Sequence, residues 1–252
     1  MIKKLLPILF VLIISSCSDE RKLYTGPFIT KDGILYEQFG KEKITGTVER
    51  DNLLGGFDSS NYKDGLKDGS HLSFFSGGVL YEKGNYKMGL EHGLFEIFHT
   101  NGQLKTRFFY DNGLLNGLRE NFNVDGQKIS FNQYKDGELD GLWTQFFTGG
   151  SPHIKGKYKD GKKNGLEEIF HTNGKISFRV NYINGLREGF KESYDIDGEL
   201  SRKNHYINDE LHGLQVWYNQ PKGDFSNGTG YVEDITWCYE NGIEVDISLC
   251  KK

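Results

Sequence analysis

Proline is scarce in this 252-residue chain, with four residues, and methionine and cysteine are scarcer still, with two and three. Apolar residues make up only 36%, where ordinary globular domains hold about 45–50%. That deficit excludes a large dry core. The surplus lies in glycine, with 33 residues, beside 14% aromatics, which points to turns and aromatic strands. No HExxH, paired CxxC or GxSxG occurs, and no glycine-rich loop opens a helix, so metalloprotease, serine-hydrolase and phosphate-loop chemistry lack their residues. The expectation is a non-catalytic protein with no cofactor and no metal. A net charge of −4 gives no positive footprint for nucleic acid. The apolar run Leu5–Ile14 is too short to span a bilayer comfortably.

That run follows Lys3 and Lys4 and ends at Ile14-Ser15-Ser16-Cys17, the layout of an export signal. The four residues resemble the bacterial lipobox, in which the cysteine is acylated and becomes the first residue of the mature chain. The resemblance implies a signal peptide over 1–16 and lipidation at Cys17. With Ser18 and not Asp next, it implies an outer-membrane lipoprotein of the cell envelope, facing the periplasm or the surface. Residues 17–31 read as a tether. Cys238 and Cys250 remain, and in an oxidising envelope they are candidates for one disulfide.

The chain is periodic. Tyr62, Tyr86, Tyr110, Tyr134, Tyr158, Tyr182 and Tyr206 recur every 24 residues, each followed seven positions later by a glycine. Twelve positions after each tyrosine stands an aromatic residue: Phe74, Phe98, Phe122, Phe146, Phe170, Tyr194 and Tyr218. EIFHTNG occurs at 96–102 and again at 168–174, three periods on. Such a period is the mark of a stacked repeat.

Each unit reads as a β-hairpin whose tip holds Gly78, Gly102, Gly126, Gly150, Gly174 or Gly198. A three-residue loop ending in a left-handed glycine pairs Phe98 with Leu104 and Phe170 with Ile176, and is expected to put Leu166, Phe178, Val180 and Tyr182 on one face. Glu96, Glu120, Glu168 and Glu192 fall between the repeat leucine and the aromatic, so that face must be partly wet. Glu167 reads as a strand-surface residue.

The fold expected is all-β: one elongated antiparallel sheet of 24-residue hairpins over 62–218, after a short signal helix. A degenerate half-repeat and cap occupy 32–61, and a loop with a capping half-repeat occupies 219–252. His99 and His171 share a repeat position, as do His92 and His212, so the period explains them better than a metal site does. The acidic Asp64, Asp136 and Asp160 precede glycines in turns that favour aspartate for backbone reasons.

The pattern Y-x-x-G-x-x-x-G-L-x-x-x-F-x-x-N-G resembles the MORN-repeat variant of bacterial YwqK-type antitoxin or immunity proteins. The resemblance implies a protein-binding surface with an unnamed protein partner, and the membrane reached through the lipid anchor alone. A cell-wall or carbohydrate-binding module, stacking sugars on aromatic rings, is the alternative.

Overall fold

The structure, a computed structural model, describes residues 22–222 and 231–251. The signal peptide and Cys17 lie outside the described residues. Long strands pair antiparallel with their sequence neighbours from Gly46–Asp51 through to Tyr231–Glu240, so one unit's second strand hydrogen-bonds the first strand of the next. The only parallel pair among the described residues joins Leu23–Tyr24 to Gly46–Asp51. The product is one long sheet, one layer thick.

Two kinds of turn alternate. At the tip, Gly102 N–H donates to the His99 carbonyl at 2.9 Å and His99 N–H donates to the Gln103 carbonyl at 2.8 Å. That is a three-residue hairpin loop closed by a left-handed residue. The tip glycines Gly78, Gly102, Gly126, Gly150, Gly174 and Gly198 stand at φ of 80–84°. The opposite turn has two left-handed residues in a row, as in Asn112 at 47° and Gly113 at 81°, the twist that suits a two-residue hairpin. Asp64, Asp136 and Asp160 occupy its first position, at 48–51°. In the seventh unit Asp209 takes the glycine's place at 73°, and its carboxylate accepts from both Arg187 N–H and Arg187 Nε.

The tip pairings Phe98 with Leu104 and Phe170 with Ile176 are as the loop length requires. The expected common face for Leu166, Phe178, Val180 and Tyr182 is corrected. A bulge lies just beyond Phe170–Ile176, so Phe178 pairs with Ile169, Val180 with Glu167 and Leu166 with Asn181. One extra residue turns the rest of the strand over. Glu167 accordingly lies on the buried side beside Val180, at 5% exposure, where Lys163 pairs with it.

The sheet therefore has two unlike faces. The inner face carries Phe95, Phe108 and Val180, all buried, together with the repeat tyrosines. With no second layer, these side chains cover one another across neighbouring strands. Phe95 meets Tyr86 and Tyr110 edge-on at 5.6 and 5.2 Å. Gly84 admits the Phe95 ring, since a Cβ there would come within 2.3 Å of it.

The ends are capped differently. Leu35, Ile44, Val48 and Tyr62 form a small apolar core with Tyr24 and Phe28. Residues assigned from sequence to the tether thus include two strands, Leu23–Tyr24 and Phe28–Lys31. At the other end, Ile243–Val245 pairs with the last long strand, and a 3-10 turn over Ile247–Lys251 follows. Cys238 and Cys250 are joined as a disulfide, with Cα atoms 5.8 Å apart.

Gly174 has no atom within 4 Å of an added Cβ, so any cost of a side chain there comes from its backbone alone. Gly174→Val is expected to destabilise by about 1–3 kcal/mol. Lys157→Val, on an exposed strand position, should change stability by less than about 0.5 kcal/mol. Equal shifts in urea midpoint for the two variants would contradict the turn geometry.

Candidate binding surface

The outer face is built from three side-chain rows that run across the strands. The middle row is ionic. Its cross-strand pairing runs Lys83, Glu96, Arg107, Glu120, then Phe131 and Thr144, then Lys155, Glu168, Arg179, Glu192 and Lys203. Charge alternates at every strand except at the central Phe131–Thr144 pair. Lys83 Nζ lies 2.7 Å from Glu96, Arg179 Nε 2.7 Å from Glu192, and Lys203 Nζ 3.3 Å from Glu192. Glu120 is held by both Arg107 and Lys128. The glutamates that made a dry face untenable thus each stand beside a cation on a neighbouring strand. Sequence reading passed over those cations. The signal was present, because each glutamate follows its cation by 13 residues or precedes the next by 11, but it becomes visible only once the register is known.

Toward the hairpin tips runs the aromatic row, and none of its first six rings is left bare. Phe74 stacks on Phe57 at 4.5 Å, and Phe146 lies against Phe131. Lys83 sits over Phe98, Arg107 over Phe122, Lys155 over Phe170 and Arg179 over Tyr194, at 5.2–5.8 Å from the ring centres. Tyr218, the seventh, is half-buried. Lys83, Arg107 and Arg179 therefore each pair with a glutamate and cover a ring.

On the other side of the ionic row lies an aliphatic row that sequence reading used only as a strand marker. Leu94, Leu118, Leu142, Leu166, Phe190 and Leu214 recur once per unit and are 38–51% exposed. Phe109, opposite Leu94, is 46% exposed. This is the apolar stripe of the molecule. Gln133, Lys157, Asn181 and His205 stand opposite these residues on the intervening strands, and exposed apolar residues gathered in one row mark a candidate contact site.

The duplicated EIFHTNG acts as a clamp between units. His99 Nε2 bonds the Phe122 carbonyl at 3.0 Å, and Asn101 Nδ2 donates to the Val124 carbonyl at 2.8 Å. His171 and Asn173 repeat both contacts, to the Tyr194 and Ile196 carbonyls. His92 lies 3.5 Å from Asp111, and the His212 ring is 6.3 Å from that of His205. Among the described residues no three His, Cys, Asp or Glu side chains converge as a metal site.

The molecule is thus a one-layer β-hairpin repeat with an ionic and apolar outer face. The family model for the MORN repeat variant matches residues 91–113 and 163–184, so the chain carries MORN-type repeats. The two matched segments start three units apart. No curated protein matches the chain. Among solved structures it is similar to an S. aureus TarM mutant in complex with fondaparinux, α-GlcNAc-glycerol and UDP. That likeness is 15% identical over 38% of this chain and 19% of that one, with a TM-score of 0.27. A second TarM crystal structure is also 15% identical, over 56% of this chain and 20% of that one, with a TM-score of 0.19. The chain spans about a fifth of the length of these proteins, and a likeness of this size says nothing about what it does.

Burial raises the Glu120 carboxyl, but hydrogen bonds from Lys128 and Arg107 outweigh it and hold the group below its ordinary 4.5. Glu192 is lowered in the same way, burial being outweighed by Arg179 and Lys203. A carboxyl depressed in the folded state gives stability that is complete above its unfolded value and is lost as pH falls through the folded one. The chain should therefore lose stability below about pH 4.5, and Glu120→Gln should flatten that slope. Urea midpoints measured from pH 7 down to pH 3 check this; an unchanged slope in Glu120→Gln would contradict it.

Proposed function

We propose that this chain is a lipid-anchored, non-catalytic repeat protein of the bacterial cell envelope. It binds another protein through its outer face, as an immunity protein of the antitoxin kind or as a scaffold. The observation that carries the reading is the exposed row from Leu94 to Leu214 beside a row of charges already neutralised within the sheet. The leucines supply apolar area, and the ion pairs within the sheet offset part of the cost of covering those charges. Such a surface suits a broad, flat protein contact.

A sugar-stacking surface needs free ring faces. In the aromatic row of this chain cations or other rings lie against them, which favours the protein reading. Lipidation at Cys17 would hold the sheet at the membrane through the acyl chains alone, with the outer-membrane address and the surface or periplasmic orientation following from the lipobox.

The test uses the full chain in its native envelope. Leu118→Asp with Leu166→Asp is expected to lower cross-linking to an envelope protein about tenfold or more, as at a binding hot spot, with little change in melting temperature. Cys17→Ser should abolish incorporation of a palmitate analogue and release the chain from the membrane fraction. Unaltered cross-linking in the doubly charged variant would sink the outer-face reading. An unlabelled wild type would sink the anchor.

A further inference from the structure

The ionic row has a symmetry that single units do not show. Read from Lys83 to Glu192 it covers ten strands, with the uncharged pair Phe131–Thr144 at its centre. A rotation of 180° about an axis parallel to the strands, through that pair, turns the face over onto a copy of itself. Lys83 then faces Glu192, Glu96 faces Arg179, Arg107 faces Glu168 and Glu120 faces Lys155. From Lys83 to Glu192 each charged position meets the opposite sign and Phe131 meets Thr144, while Lys203 at the end of the row falls opposite Leu72. Moving the axis by half a strand spacing sets Glu96 on Glu192 and Arg107 on Arg179, like on like.

We propose that the outer face binds a second copy of this chain, forming a face-to-face twofold dimer about the Phe131–Thr144 pair. The proposal rests on the reading of that face as a protein-binding surface and names the occupant. An axis parallel to the strands keeps each row opposite its own kind, so the aliphatic rows of the two copies also meet. In this register Phe109 of one copy lies over Leu166 of the other, and Leu142 lies over Gln133. Leucines stand on alternate strands, so those of the two copies interleave. The apolar rows supply affinity and the ionic row fixes register, the division of labour usual at protein interfaces.

The size is adequate. Ten strands at about 4.8 Å and three side-chain rows about 7 Å apart present on the order of 800 Å² per copy. That is the area of a standard specific interface. Sheets pack face to face with strands within about 30° of each other, as this axis requires. The charges on the cations reach outward: Lys83, Arg107 and Arg179 are 44–47% exposed, while Glu96, Glu120 and Glu192 beneath them are 5–17% exposed.

Sedimentation velocity of the purified chain between about 1 and 100 µM, a range that brackets transient and stable dimers, is expected to show a dimer. Leu142 lies beside the axis and is 46% exposed, so Leu142→Asp should weaken the dimer about tenfold or more while leaving the circular-dichroism spectrum unchanged. Phe109→Cys combined with Leu166→Cys should give a covalent dimer on oxidation. The two positions lie about 24 Å apart within one chain and face each other only across the axis, so neither single replacement should be trapped. A monomer throughout the range, a dimer indifferent to Leu142→Asp, or a dimer that the cysteine pair fails to trap overturns the proposal. If a monomeric chain still loses its envelope partner through Leu118→Asp with Leu166→Asp, the protein-binding reading stands and the second copy alone is excluded.

Discussion

A β-hairpin leaves the outward N–H and C=O groups of both its strands unpaired, and in this chain the next hairpin in sequence pairs them. Everything else depends on that completion. An isolated hairpin is marginal in water, and a buried backbone group without a partner costs about 1–3 kcal/mol. The stitching extends past the strands to both margins of the sheet. On one margin the second left-handed residue of each two-residue turn donates to a carbonyl of the unit before it: Gly89 to Lys67, Gly113 to Glu91, Gly137 to Leu115, Gly161 to Leu139, Gly185 to Lys163, at 2.8–2.9 Å. On the other margin His99 and Asn101 reach forward to the next tip. A 24-residue spacing kept without insertion is what such stitching requires, because one added residue would move every donor off its acceptor.

The ionic row follows from the same register. Strands stacked at a constant interval bring equivalent positions side by side, so a glutamate repeated without its cation would form a column of like charges. Placing Lys or Arg on every return strand but that of Phe131 converts that column into an alternating one. The cost of partly burying Glu96, Glu120 and Glu192 is met by cross-strand partners whose aliphatic stems and charged heads also cover the aromatic rings. This lets a one-layer sheet stand with 36% apolar residues.

Much of this was legible in the sequence, and the failures share one cause. The period and the tip glycines appear as residue types at fixed spacings, and so does the three-residue loop that pairs Phe98 with Leu104. Which face a residue occupies does not, because a bulge changes parity without a fixed residue type to mark it. Glu167 and Glu168 are neighbours of the same type, yet one lies under Lys163 on the inner face and the other in the ionic row. The same parity change carried Phe178 and Val180 inward. The exposed row from Leu94 to Leu214 was likewise not legible as a surface, because a leucine repeated once per strand reads equally well as core. The strands at 23–31 had no repeat signal at all, since a cap departs from the repeat it closes.

The units are held together at both margins and not merely aligned. Amide hydrogen exchange on the turn residues tests this most directly. Gly89, Gly113, Gly137, Gly161 and Gly185 lie in tight turns at the edge of the sheet, where amides ordinarily exchange quickly. The structure predicts that their amides are protected to nearly the degree of the adjoining strands, while the amides of Asn112, Asp136 and Asn184 one residue earlier exchange faster. Rapid exchange at the glycines, equal to that of their neighbours, would contradict it.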